Sequence, residues 1–369
     1  MSKLSNLLTN LFNWISRIFS VKDLESPKDK SKTKTDGTKT PTKDESPMGT
    51  KIPSKPTSTT TTDTTSGGKT GTSTSSGAVT IDPDYNNREG YNEAFLSVKI
   101  PLPKIAKESQ PKIVTTTEGG KKELKYHHYS VVMNGERKMP FFTAVNIDGA
   151  SYERLGDVPS RTEIGRDKWY VDPRIPKDKQ LLAAWYGKND FDIGHQVRRE
   201  DALWGDTLEI AIKANNDTFH LTNAAPQHKD LNRSAERWLG LESYALKNCR
   251  KYGLKISVFT GPIFAETDGT FNGVKIPDKF WKIITMIKDD GKPSSTGYIV
   301  HQNDLIDDIV TRSFVYEQFK TYQVPISEIE NLTNINFGLN AYDPLQKTKH
   351  GLAYIFEPKP VDSFDDIVF

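Results

Sequence analysis

An α+β domain of about 290 residues, set behind an amphipathic helix and a flexible tether, is the architecture this sequence predicts. Three observations point to it. From about residue 81 the chain is a series of short, strand-length apolar runs interrupted by a few helical stripes. Before that point, composition turns to Lys, Ser, Thr, Pro and Gly. The first 20 residues stand apart from both, with apolar side chains spaced three and four apart.

Composition agrees with that division. Only 35% of the 369 residues are hydrophobic, below the roughly 45–50% of an ordinary globular chain. Residues 1–80 hold 12 Lys+Arg and 7 Asp+Glu, net +5, whereas the remaining 38 and 41 give the body a net charge of −3. The basic excess therefore lies in the tail, and a nucleic-acid-binding role cannot be argued from bulk charge. A single cysteine, Cys249, excludes an intramolecular disulfide and a Cys-rich zinc module. It suits a reducing, cytoplasmic setting. No run of ~18 apolar residues suggests a transmembrane helix, and no repeat with a period of ~20–50 residues is visible.

In the first 20 residues, Leu4, Leu7, Leu8, Leu11, Phe12, Ile15, Ile18 and Phe19 form the apolar stripe. Two uses stay open: a helix lying on a membrane surface, or one docking into a protein partner's groove. Only Lys3 and Arg17 would attract anionic lipid. Asn10 and Asn13 interrupt the stripe as a signal-peptide core, although secretion as an effector stays open. Residues 21–80 read as a disordered linker: in 51–80, 17 of 30 positions are Ser or Thr, too little apolar surface to offset conformational entropy.

Within residues 81–369, Tyr129–Met133 and Phe141–Ile147 read as strands around an Asn134-Gly135 turn, a hairpin signal. Leu254–Phe259, Phe280–Ile287 and Tyr298–His301 read as further strands. Ala235–Tyr252 reads as a helix with Trp238, Leu241, Ala245, Leu246 and Cys249 on one face and Gly253 as its stop. Ser327–Leu332 reads as a shorter one.

Three segments bear chemistry. Asp192-Ile193-Gly194-His195 offers an imidazole after a glycine, expected to turn tightly and leave the ring exposed; a neutral imidazole suits a general base for water. Thr222-Asn223-Ala224-Ala225-Pro226-Gln227 and then Asn232 offer amides, and Asp192, Glu200, Asp201, Asp230 and Glu242 offer carboxylates. Such hard oxygen donors suit Mg²⁺, and no closely spaced His/Cys set suggests zinc.

The order of these segments resembles the DNA/RNA non-specific endonucleases of the ββα-metal superfamily, which pair a D-R-G-H motif with a T/S-N-x-x-P-Q segment and an Asn leading a helix that bears W and L-E. Trp169-Tyr170-Val171-Asp172-Pro173 resembles the family's W-x-x-D-P strand, and Thr260-Gly261-Pro262 and Ile276-Pro277 with Phe280-Trp281-Lys282 resemble its later motifs. The likeness covers about residues 125–340. It implies a ββα-metal core on a mixed or antiparallel sheet. It also implies Mg²⁺-dependent hydrolysis of DNA and RNA giving 5′-phosphate ends, with Mn²⁺ as a substitute metal and a homodimer as one assembly.

The resemblance assigns roles by position. His195 matches the general base, Asn232 the metal's protein ligand, Glu242 the carboxylate that orients metal-bound water, and Asn223 an active-site amide in the metal–water network. Gln227 matches a support for the loop or substrate, and Trp238 reads as core. Two departures stand out. Ile193 occupies the place of the family's phosphate-binding Arg, leaving Arg166, Arg174, Arg198 or Arg199 to compensate. Asn232 and Glu242 are ten residues apart rather than the usual eight. The loss at Ile193 motivates an alternative, a nucleic-acid-binding or scaffold protein on a decayed nuclease fold.

Overall fold

The structure is a computed structural model that describes residues 77–187, 189–233, 238–302, 321–346, 358–361 and 366–368, apart from the side chains of 238–241 and 244. The amphipathic stripe of 1–20 and the linker to residue 76 lie outside the described residues.

Eight strands form one antiparallel sheet among the described residues. In chain order they are β1 (Leu124–Tyr126), β2 (Tyr129–Asn134), β3 (Met139–Asp148), β6 (Lys255–Ile263), β7 (Lys279–Ile287), β8 (Pro293–His301), β9 (Thr321–Val324) and β10 (Lys359–Pro360). The numbers β4 and β5 belong to a separate two-stranded ribbon, Phe191–His195 and Ala224–His228. Across the sheet the order is β10-β9-β8-β7-β6-β3-β2-β1.

Every residue of β3 is buried, as are eight of the nine in β6. Antiparallel sheets often leave one face to water, but here both are covered, which replaces polar/apolar alternation with near-continuous apolar runs. The period of two survives as a division between cores. Phe142, Ala144, Phe259, Trp281, Ile283 and Ile299 face one cluster, closed by Tyr91, Leu96, Ile100 and helix α5 (Ile326–Thr333). Val145, Ile147, Ile256, Val258 and Ile284 face the other, closed by Ala214 of α2 (Leu208–Asp217) and by Leu246 and Cys249 of α4 (Trp238–Lys251). The remaining α-helices among the described residues are short: α1 (Gly149–Arg154) follows β3, a single turn spans Arg161–Ile164, and α3 (Lys229–Asn232) follows β5.

Most expected elements are present, with informative differences. The β2–β3 hairpin turns through four residues, not a two-residue Asn-Gly turn. The Asn134 carboxamide accepts the Glu136 and Arg137 N–H groups, Lys138 takes φ +59°, and a bulge falls between Val132 and Met133. Trp169–Pro173 is not a strand; Tyr170 makes one parallel bridge, to His220. The α4 helix ends at Lys251, and Gly253 at φ +60° closes it as expected. Asn232 lies on the separate short helix α3 rather than leading α4. No helix among the described residues is long and apolar enough to cross a membrane.

The packed chain begins ahead of the boundary at 81. Val79 is buried, its N–H donates to the Arg166 carbonyl at 2.9 Å, and the Val79 carbonyl accepts from the Tyr170 hydroxyl at 2.6 Å. Farther on, Arg88 makes a two-pronged ion pair with Asp217, 2.8 Å on each prong, with both side chains essentially inaccessible. That pair fixes the leading segment to the C-terminus of α2, immediately before the site loop.

Candidate active site

Strands β4 and β5 run antiparallel with His195 opposite Ala224, Gly194 opposite Ala225 and Asp192 opposite Gln227, and α3 and α4 follow. The unit is thus strand, strand, helix. Pro226 interrupts no ladder of the main sheet because the ribbon stands outside it. Ile193 and Phe191 seat the ribbon against an apolar cluster of Met139, Leu181, Ala225, Leu231 and Phe280.

Gly194 does not serve a turn. It lies inside β4, and a Cβ there would fall 2.3–2.5 Å from Oε1, Cδ and Cγ of Gln227. Glycine is required so that the buried Gln227 side chain can cross the strand beside His195. Nor does the imidazole stand free in solvent. His195 rests against Trp169, ring centroids 4.4 Å apart, and edge-on to Phe219 at 4.9 Å. Its Nε2 is buried with no hydrogen-bond partner among the described residues. Burial, then the positive charges of Arg199, Arg161 and Arg198, push its pKa down to about 3. The ring is therefore neutral near pH 7, the form a general base needs.

Asn223 fastens the chain just after the base. Its carboxamide accepts the Val197 N–H and donates to the carbonyls of Val197 and Thr218, each at 2.9 Å, and its own carbonyl takes the Gln196 N–H. Both amide hydrogens are thereby committed to main chain. Its geometry is that of a brace on the His195 segment rather than a donor to a water network. Gln227 is likewise buried, with Nε2 unpartnered.

At the far end of β4, Asn232 donates from Nδ2 to Asp192 at 3.0 Å, while Arg233 grips the same carboxylate at 2.8 and 2.5 Å. Burial raises the Asp192 pKa, but these donors outweigh it and the net shift is downward. An amide held by its nitrogen end presents Oδ1 as its acceptor, the donor type that Mg²⁺ accepts alongside water. Asp192 and His195 are three residues apart on one strand, ~10 Å along it.

Glu242 is buried on α4 and paired. Lys282 of β7, itself buried, approaches it at 3.0 Å and donates to the Thr260 hydroxyl at 2.9 Å; Arg198 lies 3.6 Å from the other oxygen. Beside them, burial pushes the Asp201 pKa up to about 6 against the pull of Arg198 and Lys282.

The arginines divide. Arg198 turns toward Glu242 and Glu200. Arg199 is buried, bonded to Asn215 and Asp167 at 2.9 Å each, with its guanidinium 5.2 Å from the Phe219 ring that also touches His195. Arg166 is exposed, and its main chain pairs with Ala78. Arg161, five residues earlier and unselected by the motif reading, acts on His195 instead. Arg174 is drawn away to Asp172 and the Lys125 carbonyl. Trp169 and Lys282 lie in family-like motifs that imply no site role for them, and Phe219 lies in none. His220 is buried against Tyr85, 2.8 Å from its hydroxyl, and His228 caps α3 through the Asp230 N–H. The side chains of Trp238 and Leu241, and residues 234–237, lie outside the described set.

The family model for DNA/RNA non-specific endonucleases matches residues 109–343, a span that includes the β4–β5 ribbon, α3, α4 and Lys282. The chain belongs to that family. An uncharacterized protein of Sinorhizobium fredii is 39% identical over 270 residues, covering 69% of this chain and 39% of that protein. Mitochondrial endonuclease G of Bos taurus is 29% identical over 181 residues (46% of this chain, 55% of that one). The human protein is 30% identical over 166 residues (42% and 50%). The chain thus spans about half the length, or less, of these curated relatives. Among solved structures, endonuclease G in complex with its inhibitor aligns over 59% of this chain and 86% of that chain, with 19% identity and a TM-score of 0.46.

Proposed function

We propose that this chain is a Mg²⁺-dependent endonuclease that hydrolyses phosphodiester bonds in DNA and RNA without sequence preference. The observation that supports it best is His195: a neutral imidazole with a buried, unpartnered Nε2, in the field of three arginines and on the strand whose other end orients Asn232. In this reading His195 Nε2 takes a proton from the attacking water. Asn232 would hold the cation through Oδ1, kept in orientation by Asp192. When bound, the cation (Mg²⁺, or Mn²⁺ as a substitute) would supply charge stabilisation at the phosphate and the departing 3′ oxygen. Asn223 and Gln227 keep the base in place from behind. Glu242 acts within its ion pairs, as a fixed negative charge behind the site. Sequence indifference follows because phosphate chemistry carries no base information.

The test is plasmid nicking by the full chain with Mg²⁺ against EDTA, and by His195→Ala. Cleavage that needs Mg²⁺ and falls at least ~10²-fold in the variant is expected. Ends bearing 5′-phosphate should accept ligation without kinase treatment. A second reading rests on Ile193, which packs into an apolar cluster where the family carries a phosphate-binding arginine: a protein that binds nucleic acid without cutting it. Retarded but uncut plasmid would establish that reading over the first. Residues 1–20 are proposed to dock the enzyme on a membrane or partner.

A further inference from the structure

Arg199, Asp167 and Arg161 form a group that the family motifs do not contain. The Asp167 carboxylate is shared: Oδ1 accepts from Arg199 Nη1 at 2.9 Å and Oδ2 from Arg161 Nη2. Arg199 is 4% exposed, fixed at Nε by Asn215, and its Nη2 is buried without a partner among the described residues. An unmet guanidinium hydrogen in a dry setting is costly unless something completes it. His195 Nε2 is another unmet atom among the described residues, and Phe219 lies against both Arg199 and His195. Arg161 and Asp167 are by contrast 61% and 38% exposed, so this side of the group opens to solvent. Two guanidinium groups converging on one carboxylate beside the base have the charge and fork geometry that recognise a phosphate.

We propose that Arg199 and Arg161 clamp the phosphodiester in place of the arginine lost at Ile193, and that Asp167 is an internal anion occupying the clamp until a phosphate displaces it. This inference rests on the nuclease reading above. Arg198 is excluded from the clamp because it is turned to Glu242. A phosphate arriving there would also offset the positive charge that now depresses His195, making the imidazole a stronger base only with substrate in place.

The probe is inorganic phosphate, titrated by calorimetry into the full chain and used as a competitor of plasmid cleavage. Asp167→Asn keeps the shape and removes the competing charge, so phosphate should bind about tenfold tighter and KM should fall similarly. Arg161→Gln changes an exposed side chain and should weaken phosphate and raise KM about tenfold. Opposite shifts with unchanged melting temperatures support the clamp. Asp167→Asn leaving phosphate binding unchanged, or weakening it, would overturn it and leave Asp167 a structural brace. Because calorimetry needs no turnover, a dead wild-type enzyme sinks the nuclease reading, while the two phosphate titrations still decide the clamp.

Discussion

Gly194 and His195 act as a pair because Gln227 crosses the first to sit beside the second. A methyl group at 194 would meet three atoms of a buried side chain at 2.3–2.5 Å. Gly194→Ala is therefore expected to push Gln227 aside, costing ~1–3 kcal/mol of stability and lowering cleavage more than tenfold. Unchanged melting and rate would show that Gln227 has room to move. The glycine was legible in the motif, but its reason was not. Sequence suggested a turn and an exposed ring; the structure has a strand and a half-buried ring packed on Trp169 and Phe219, because Ala224 pairs across from it and Tyr170 bridges to His220.

The β4–β5–α3–α4 unit is held to the sheet by charge as well as by apolar contact. Lys282 projects from β7 toward α4, two residues before Ile284 of the second core on the same strand, and meets Glu242. Removing one partner of a buried ion pair costs up to ~3–5 kcal/mol when the other is left uncompensated; here Arg198 stays 3.6 Å from Glu242. Lys282→Met should therefore destabilise by no more than that amount in denaturant unfolding, and adding Glu242→Gln should recover part of it. Additive losses in the double variant would mean the pair is not coupled. Spacing placed Glu242 on a helix, and the F-W-K motif placed Lys282 on a strand. That the two touch depends on how α4 crosses the sheet, which no local pattern encodes.

The folded body is longer than its family-matched core. Tyr91, Leu96 and Ile100 close one face of the sheet, and Arg88 ties the leading segment to Asp217, although the match to the family begins at residue 109. A chain starting at residue 77 should melt like the full protein, whereas one starting at residue 92 exposes the buried Asp217 carboxylate and part of a core. It should lose ~3–5 kcal/mol or fail to fold. Equal melting temperatures for the two truncations would show that the segment is decoration.

Periodicity and turn chemistry determined the elements: the apolar runs that became β2, β3, β6, β7 and β8, the α4 stripe with its Gly253 stop, and the order of His195, Asn223, Asn232 and Glu242 that marks the family. These are local properties, set by which side chains recur within a turn or a pleat. Tertiary structure alone decided which charges face the base. Arg161, Arg198 and Arg199 carry charge into His195's surroundings while Arg166 and Arg174 are drawn away to other partners, because a long guanidinium goes to whichever carboxylate or carbonyl the fold brings within ~3 Å, and that proximity arises only once distant segments have packed.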